Sequence, residues 1–493
     1  MNTIGHWIGG KSVAGASGRV GPVYDPARGV QTAEVALASA AEVDDAVKIA
    51  LDASGAWGAS SLSKRVNMLF SLRELVRAHR DDLAAAITRE HGKVVSDAQG
   101  EVDRGLECIE FACGIPQLLK GSNSSEVSTG IDVRTILQPV GVVAGITPFN
   151  FPVMVPLWMM SNAIACGNAF VLKPSEKDPS PSLIIADLVQ RAGFPDGVLT
   201  VLHGDAEAVN ALLTHPDVDA VSFVGSTPIA RHVYETGTAN GKRVQALGGA
   251  KNHMVVLPDA DIDDAADAAI SAGYGAAGER CMAISVVVAV EPVADALVDA
   301  IARRIPDVVI GPGDDATSQM GPLVTAAHRE RVLSYVEGAA AEGAEVVADG
   351  STPPRDDGFF VGCSLLDRVT PGMRVYDDEI FGPVLSVVRV GSLDEAVSLV
   401  NANQYGNGVA IFTRDGGAAR RFERDIQVGM VGINVPIPVP VASYSFGGWK
   451  SSLFGDIPIY GPEGVRFYTR PKVITARWPE KPVGEVNLSF TAR

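Results

Sequence analysis

Cys281 closes the run Gly275-Ala276-Ala277-Gly278-Glu279-Arg280-Cys281, which sets one thiol among small residues and beside a guanidinium. The thiolate is the nucleophile, and a neighbouring positive charge is expected to favour it. The small residues leave a substrate room to reach the sulfur. A cysteine in such a run also reads as a small buried hydrophobe, and the heptapeptide alone is compatible with both.

Four further stretches carry groups of the right type. Thr147-Pro148-Phe149-Asn150-Phe151-Pro152 follows an apolar strand-like run. An asparagine amide there can donate to a developing oxyanion or cap the next helix. Lys173-Pro174-Ser175-Glu176 offers an ammonium and a hydroxyl to a ribose. Glu176 would accept from the 2′-hydroxyl and repel a 2′-phosphate, although surface residues after a strand look the same. Gly225-Ser226-Thr227-Pro228 is a strand end, a cap residue and a proline that starts a helix, which leaves backbone N–H groups free for a pyrophosphate. It departs from the G-x-G-x-x-G fingerprint. Glu379-Ile380-Phe381-Gly382-Pro383 joins a carboxylate and an aromatic ring in a stiff turn that suits a nicotinamide ribose, or a plain loop.

These stretches need strands and helices to hold them. GVVAGI, NAFVLK, GVLTVLHG, DAVSFVGS and KRVQALGG read as buried strands separated by helical runs, which predicts a parallel sheet covered on both faces. Ligands of such sheets bind at the carboxyl ends of the strands. A second alternation, from DDAADAAISAGYG through ISVVVAVEPV to GAARRFERDIQ, holds Cys281, so chemistry is expected where two lobes meet. The extended segments 125–141 and RFYTRPKVITARW stand outside both alternations and predict an arm that pairs with another subunit.

Composition narrows the class. A chain of 493 residues, 46% hydrophobic and 20% charged, builds several cores and is not disordered. The net charge of −17 argues against a general nucleic-acid-binding face. Five scattered cysteines without a Cys-x-x-Cys pair fit neither a disulfide framework nor a zinc site, so no metal and a reducing, cytoplasmic compartment are expected. The N-terminus lacks a signal-peptide core. The uncharged stretch after Arg134 is broken by Pro139, Pro148, Pro152 and Pro156, which excludes a spanning helix.

Taken in order, TPFNFP, LKPSE, SFVGST, GERC and EIFGPV resemble the aldehyde dehydrogenase superfamily from about Trp7 to Lys472. The resemblance implies an α/β fold: a doubly wound Rossmann-like NAD domain (1–124 and 142–245), an α/β catalytic domain (246–465) and a β oligomerisation arm (125–141 and 466–493). It also implies Cys281 as nucleophile, Asn150 as oxyanion donor, and NAD contacts from Thr147, Phe149, Lys173, Ser175, Glu176, Gly225, Ser226, Glu379 and Phe381. Phe446, in the proline-rich segment VPIPVPVASYSFGGW, falls near the substrate. A homo-oligomer, dimer or tetramer, is implied too.

One departure redirects the chemistry. Family members that hydrolyse their thioester carry a glutamate before Gly-Gly, whereas this chain reads Gln245-Ala246-Leu247-Gly248-Gly249. A thioester with no water-activating base waits for a better nucleophile such as a thiol. That points to the coenzyme-A-acylating branch, and GAAGERCMAIS and YGPEGVRFYTRPKV resemble its methylmalonate-semialdehyde dehydrogenase members. Arg104 and Arg280 would then clamp a substrate carboxylate, although Arg104 alone reads as a helix-surface charge. The alternatives are a hydrolytic member using another base and a non-catalytic relative.

Overall fold

The computed structural model describes residues 2–478. Two large sheets dominate it. The first runs Leu453–Phe454, Arg243–Leu247, Ala220–Val224, Val142–Ile146, Ala169–Lys173, Leu199–Val201, His6–Ile8 and Lys11–Val13 in spatial order. Its five central strands are parallel, and the flanking pairs are antiparallel. Val142–Ile146 and Ala169–Lys173 are buried at every position, as parallel strands covered on both faces must be.

From Val142–Ile146 the chain first moves outward to Ala169–Lys173 and Leu199–Val201. It then returns to place Ala220–Val224 on the other side of the starting strand. Val142–Ile146 and Ala220–Val224 therefore flank a topological switch point, where the loops leaving their carboxyl ends diverge and open a crevice.

The second sheet orders Glu345–Ala348, Ser364–Asp367, Val384–Val390, Ile284–Val290, Asn252–Val256, Gly408–Phe412 and Met430–Ile433. All but the first pair are parallel. Its valine-rich strands pack on the helices Ile262–Tyr274 and Ala294–Arg304 in one continuous core.

Two features lay outside the sequence reading. Helix Ala40–Gly58 packs on the first sheet while Leu62–Ala78, Arg80–His91 and Val95–Cys113 form an outer layer on the helices Met154–Ala165 and Ser180–Arg191, and Leu453–Phe454 crosses from the expected catalytic segment to pair with Arg243–Leu247. Helix Val95–Cys113 lies close against Met154–Ala165 because Gly105 has no side chain. A Cβ there would stand 2.7 Å from Leu157 Cδ1.

The arm segments pair with each other. Thr469–Arg477 runs antiparallel to Ile131–Pro139, which pairs in turn with Asn123–Ser128. Residues 479–493 of the expected arm lie outside the described residues. Among the described residues no helix is long and apolar enough to cross a membrane.

Candidate active site

Cys281 follows a short 3₁₀ turn, Gly275–Gly278, in which Ala276 and Ala277 both adopt positive φ, 50° and 54°. Left-handed backbone at two alanines is strained, and such strain persists only where surrounding structure enforces it. Gly278, at φ 72°, supplies part of that enforcement. A Cβ on it would stand 2.2 Å from the Gly382 carbonyl oxygen, so the cysteine loop lies directly on the Glu379–Pro383 loop. Two amides fix the Cys281 carbonyl, Asn252 Nδ2 at 2.9 Å and Asn407 Nδ2 at 3.1 Å. Neither asparagine stood out in the sequence, since each acts across the second sheet.

The half-buried Cys281 is the common wall of two cavities. One, of about 200 Å³, is lined by Phe149, Asn150, Gly225, Ser226, Glu379 and Phe381. It sits at the switch point between Val142–Ile146 and Ala220–Val224. Ser226 caps helix Thr227–Ala239 without a side-chain cap bond, so first-turn N–H groups remain available to an anion. His328 and Arg331 also line it. They come from a helix, Ala326–Glu342, that carried no signal in the sequence.

Four of the expected cofactor residues stand outside this cavity, at or just before the neighbouring loops. Thr147 is buried and its N–H donates to the Lys173 carbonyl at 3.1 Å. Lys173 donates to the Gly204 carbonyl at 2.9 Å and lies 3.6 Å from the Glu176 carboxylate. Ser175 Oγ accepts from the Lys177 N–H at 3.1 Å. The Lys173 strand flanks Val142–Ile146 on the side away from Ala220–Val224, which sets these groups farther along the sheet edge.

The other cavity, of about 370 Å³, is lined by Arg104, Arg280, Phe151, Met154, Trp158 and Val439, with Asp97 and Glu101 at its wall. Both expected arginines thus face the space beside Cys281. Each already has a carboxylate partner: Arg280 lies 2.8 Å from Asp97 and Arg104 3.0 Å from Glu107. Phe446 does not line this space. It is buried behind Trp158, ring centroids 5.0 Å apart, and its backbone pairs with Ile459.

Electrostatics correct one expectation. The Cys281 thiol is pushed up to about 12, first by burial and then by the Glu379 carboxylate. Backbone N–H groups and Arg280 act the other way and are outweighed. With its guanidinium engaged by Asp97, Arg280 does not make the resting sulfur a thiolate. Glu379 accepts from the Ala250 N–H at 2.9 Å and is itself raised by burial to about 7.

Asn150, 4% exposed, donates one amide N–H to the Glu279 carbonyl at 3.1 Å and keeps a second for another acceptor. The Glu279 side chain is wholly buried and raised to about 8 by that burial. It lies 3.7 Å from His91 Nε2 and 3.6 Å from His328 Nε2. At the position expected to lack a hydrolytic base, Ala246 and Leu247 are buried, and Leu247 packs in the apolar cluster that Cys281 borders. Among the described residues no group of His, Cys, Asp and Glu side chains is arranged to hold a metal ion.

The profile of the "Aldehyde dehydrogenase family" matches residues 13–474. The malonate-semialdehyde dehydrogenase of Pseudomonas aeruginosa is 54% identical, over 98% of this chain and 97% of its own. The malonate-semialdehyde dehydrogenase 2 of Geobacillus kaustophilus is 47% identical, over 97% and 99%. The crystal structure of methylmalonate-semialdehyde dehydrogenase from Oceanimonas doudoroffii superposes with a TM-score of 0.96 at 53% identity, covering 98% of this chain and 99% of that one. A Sinorhizobium meliloti 1021 protein assigned the same activity and complexed with NAD gives 0.96 at 52% identity, with coverage of 98% and 99%.

Proposed function

Because the chain belongs to the aldehyde dehydrogenase family, we propose that it oxidises malonate and methylmalonate semialdehydes with NAD and passes the decarboxylated acyl group to coenzyme A. One observation carries this reading. Cys281 divides a cavity holding two arginines from a cavity at the switch point, and no carboxylate stands at Ala246 or Leu247. Relatives named for semialdehyde oxidation, and an NAD complex among the similar structures, support it.

The chemistry follows from the side chains. Arg104 and Arg280 hold the substrate carboxylate, exchanging their ion pairs for it. Cys281 Sγ, once deprotonated, bonds to the aldehyde carbon, and the carbonyl oxygen becomes an oxyanion facing the Asn150 amide and the Cys281 N–H. NAD supplies the hydride acceptor, and the residues suited to it are Phe149, Gly225, Ser226, Glu379 and Phe381, with Thr147, Lys173, Ser175 and Glu176 farther along the sheet edge. Loss of hydride leaves a thioester on Cys281.

The carboxylate then lies β to the thioester carbonyl. Its C–C bond breaks, CO2 leaves, and the electron pair forms an enolate whose oxygen faces the same donors. Protonation gives a propionyl or acetyl thioester, and the coenzyme A thiol displaces Cys281. With apolar side chains at the 246–247 position, attack by water is slow.

The dinucleotide lobe comprises 1–124 and 142–245, and the catalytic lobe 246–465. A homo-oligomer, dimer or tetramer, suits the sheet built on 125–141 and 466–478. Among the described residues Thr469–Arg477 is an edge strand of this sheet, and Val473 and Trp478 are 65% and 82% exposed.

A second reading is hydrolysis with Glu379 as the base, favoured by its place beside Cys281 and its raised pKa of about 7. One experiment separates the two: NADH formation and product mass from malonate semialdehyde, with and without coenzyme A. The acylating reading expects a burst of NADH that stalls, then steady turnover to acetyl-CoA and CO2 once coenzyme A is added. Steady release of free acetate without coenzyme A, at the coenzyme-A-dependent rate, overturns it.

A further inference from the structure

We propose that Lys93 and Glu101 are positioning residues for the oxyanion amide of Asn150, an inference that rests on the role given to Asn150 above. Lys93 follows helix Arg80–His91, and Glu101 lies within helix Val95–Cys113. Asn150 sits in the loop between strand Val142–Ile146 and helix Met154–Ala165. Lys93 Nζ donates to the Asn150 backbone carbonyl at 2.5 Å and to Glu101 Oε2 at 2.8 Å. The other carboxylate oxygen, Oε1, accepts from the Val153 N–H at 2.8 Å and the Met154 N–H at 3.1 Å. Lys93 Nζ also stands 4.3 Å from the centre of the Phe151 ring.

The pair therefore grips the loop on both sides of its bend, at the carbonyl of residue 150 and at the N–H groups of 153 and 154. Lys93, Glu101 and Asn150 are 1%, 2% and 4% exposed. Burying an ion pair is costly, and an apolar pair of like volume is often as stable or more so. One uncharged cap residue would satisfy the helix N-terminus at lower cost. What the ion pair adds is direction. With the carbonyl of Asn150 on Lys93 and one amide N–H on the Glu279 carbonyl, the remaining N–H has a fixed aim. A donor misplaced by about 1 Å costs on the order of a hundredfold in rate.

The pair also ties recognition to chemistry. Glu101 and Arg104 are neighbours at i, i+3 on one helix, and both line the larger cavity, so the element that meets the substrate carboxylate is the one that holds the oxyanion donor.

The test is a double-mutant cycle read by the single-turnover NADH burst, with propanal and with malonate semialdehyde. Lys93→Met is expected to lower the burst rate about tenfold or more, with KM and NAD affinity within about twofold. Glu101→Gln keeps an acceptor oxygen for Val153 and Met154 and is expected to lose less. In an Asn150→Ala background either change should cost less than about twofold, because the group they aim is gone. Equal losses in both backgrounds, or an undiminished burst in a folded variant, overturn the inference. If Lys93→Met does not fold, Glu101→Gln decides. A missing burst in the unmodified protein overturns the functional reading and this one with it, whereas a burst insensitive to both changes overturns this one alone.

Discussion

Arg280, the residue before the nucleophile, donates from its terminal nitrogen to Asp97 at 2.8 Å, and both side chains line the cavity that holds Arg104. A carboxylated substrate reaching Arg280 thus meets a carboxylate already there. Asp97→Asn keeps an acceptor oxygen and removes the charge. Relieving like-charge repulsion at this half-exposed position is worth about 1 kcal/mol. The KM for malonate semialdehyde should fall about fivefold, with propanal unchanged. An equal change for both aldehydes would show that Asp97 acts through folding alone.

Arg104 pairs with Glu107 at 3.0 Å, and both side chains are roughly two-fifths exposed, which makes the pair weak and easily exchanged. A substrate carboxylate competes well with such a partner. Losing a charge-assisted contact costs about 1.5–3 kcal/mol. Arg104→Ala should therefore lower kcat/KM for malonate semialdehyde roughly ten- to hundredfold and leave propanal nearly untouched. Equal harm to both substrates would refute the carboxylate contact.

The raised thiol of Cys281 predicts slow alkylation at neutral pH. Without NAD, modification by iodoacetamide should climb about tenfold per pH unit from pH 7 to 10. Glu379 holds that thiol up by its negative charge, so Glu379→Gln should move the profile to lower pH. Glu379 itself titrates near 7 and is neutral below that, so variant and parent should converge at pH 6. Mass mapping of the modified peptide measures this, and fast alkylation already at pH 6 would contradict it.

Glu279 keeps its proton up to about pH 8 in the folded chain, against 4.5 for its unperturbed value. Between these values the unfolded chain binds fewer protons, so folding stability falls as pH rises from 4.5 through 8. Glu279→Gln removes that loss. Thermal melts should show little gain at pH 4.5 and a gain on the order of a few kcal/mol by pH 8.5, since burial outweighs the Val324 N–H, Lys177 and Lys93, which favour the charged form. A gain independent of pH would mean that burial of the charge is not the cause.

The groups legible in the sequence sit at strand ends. Asn150, Gly225 and Ser226 each follow a β-rich run, and the topology of parallel sheets brings such residues to one crevice. Cys281 and Glu379 were legible from their glycine-flanked loops. Lys93, Asp97 and Glu101 were not: Lys93 falls in the short loop between helices Arg80–His91 and Val95–Cys113, the two carboxylates lie on the second of these, and only tertiary packing turns such charges inward. Asn252 and Asn407 escaped notice for a similar reason: each finds the Cys281 carbonyl across strands far apart in sequence. Phe446 was placed one layer too close, since Trp158 comes between it and the cavity. The guanidinium of Arg280 was credited with a thiolate because its partner, Asp97, lies on a separate helix.

The contact of Gly278 with the Gly382 carbonyl divides the molecule into a half that can vary and a half that cannot. Any side chain at Gly278 would wedge the nucleophile loop from the loop that carries Glu379, and Gly382 is equally confined, its own Cβ position lying 2.5 Å from Val332 Cγ2. Drift in substrate preference must therefore accumulate on the opposite wall. Asp97 and Arg104 on a helix, and Ile437 and Val439 in an irregular segment, line that wall. Libraries aimed at new aldehydes belong there, whereas a search over the glycines opposite would force the two loops apart.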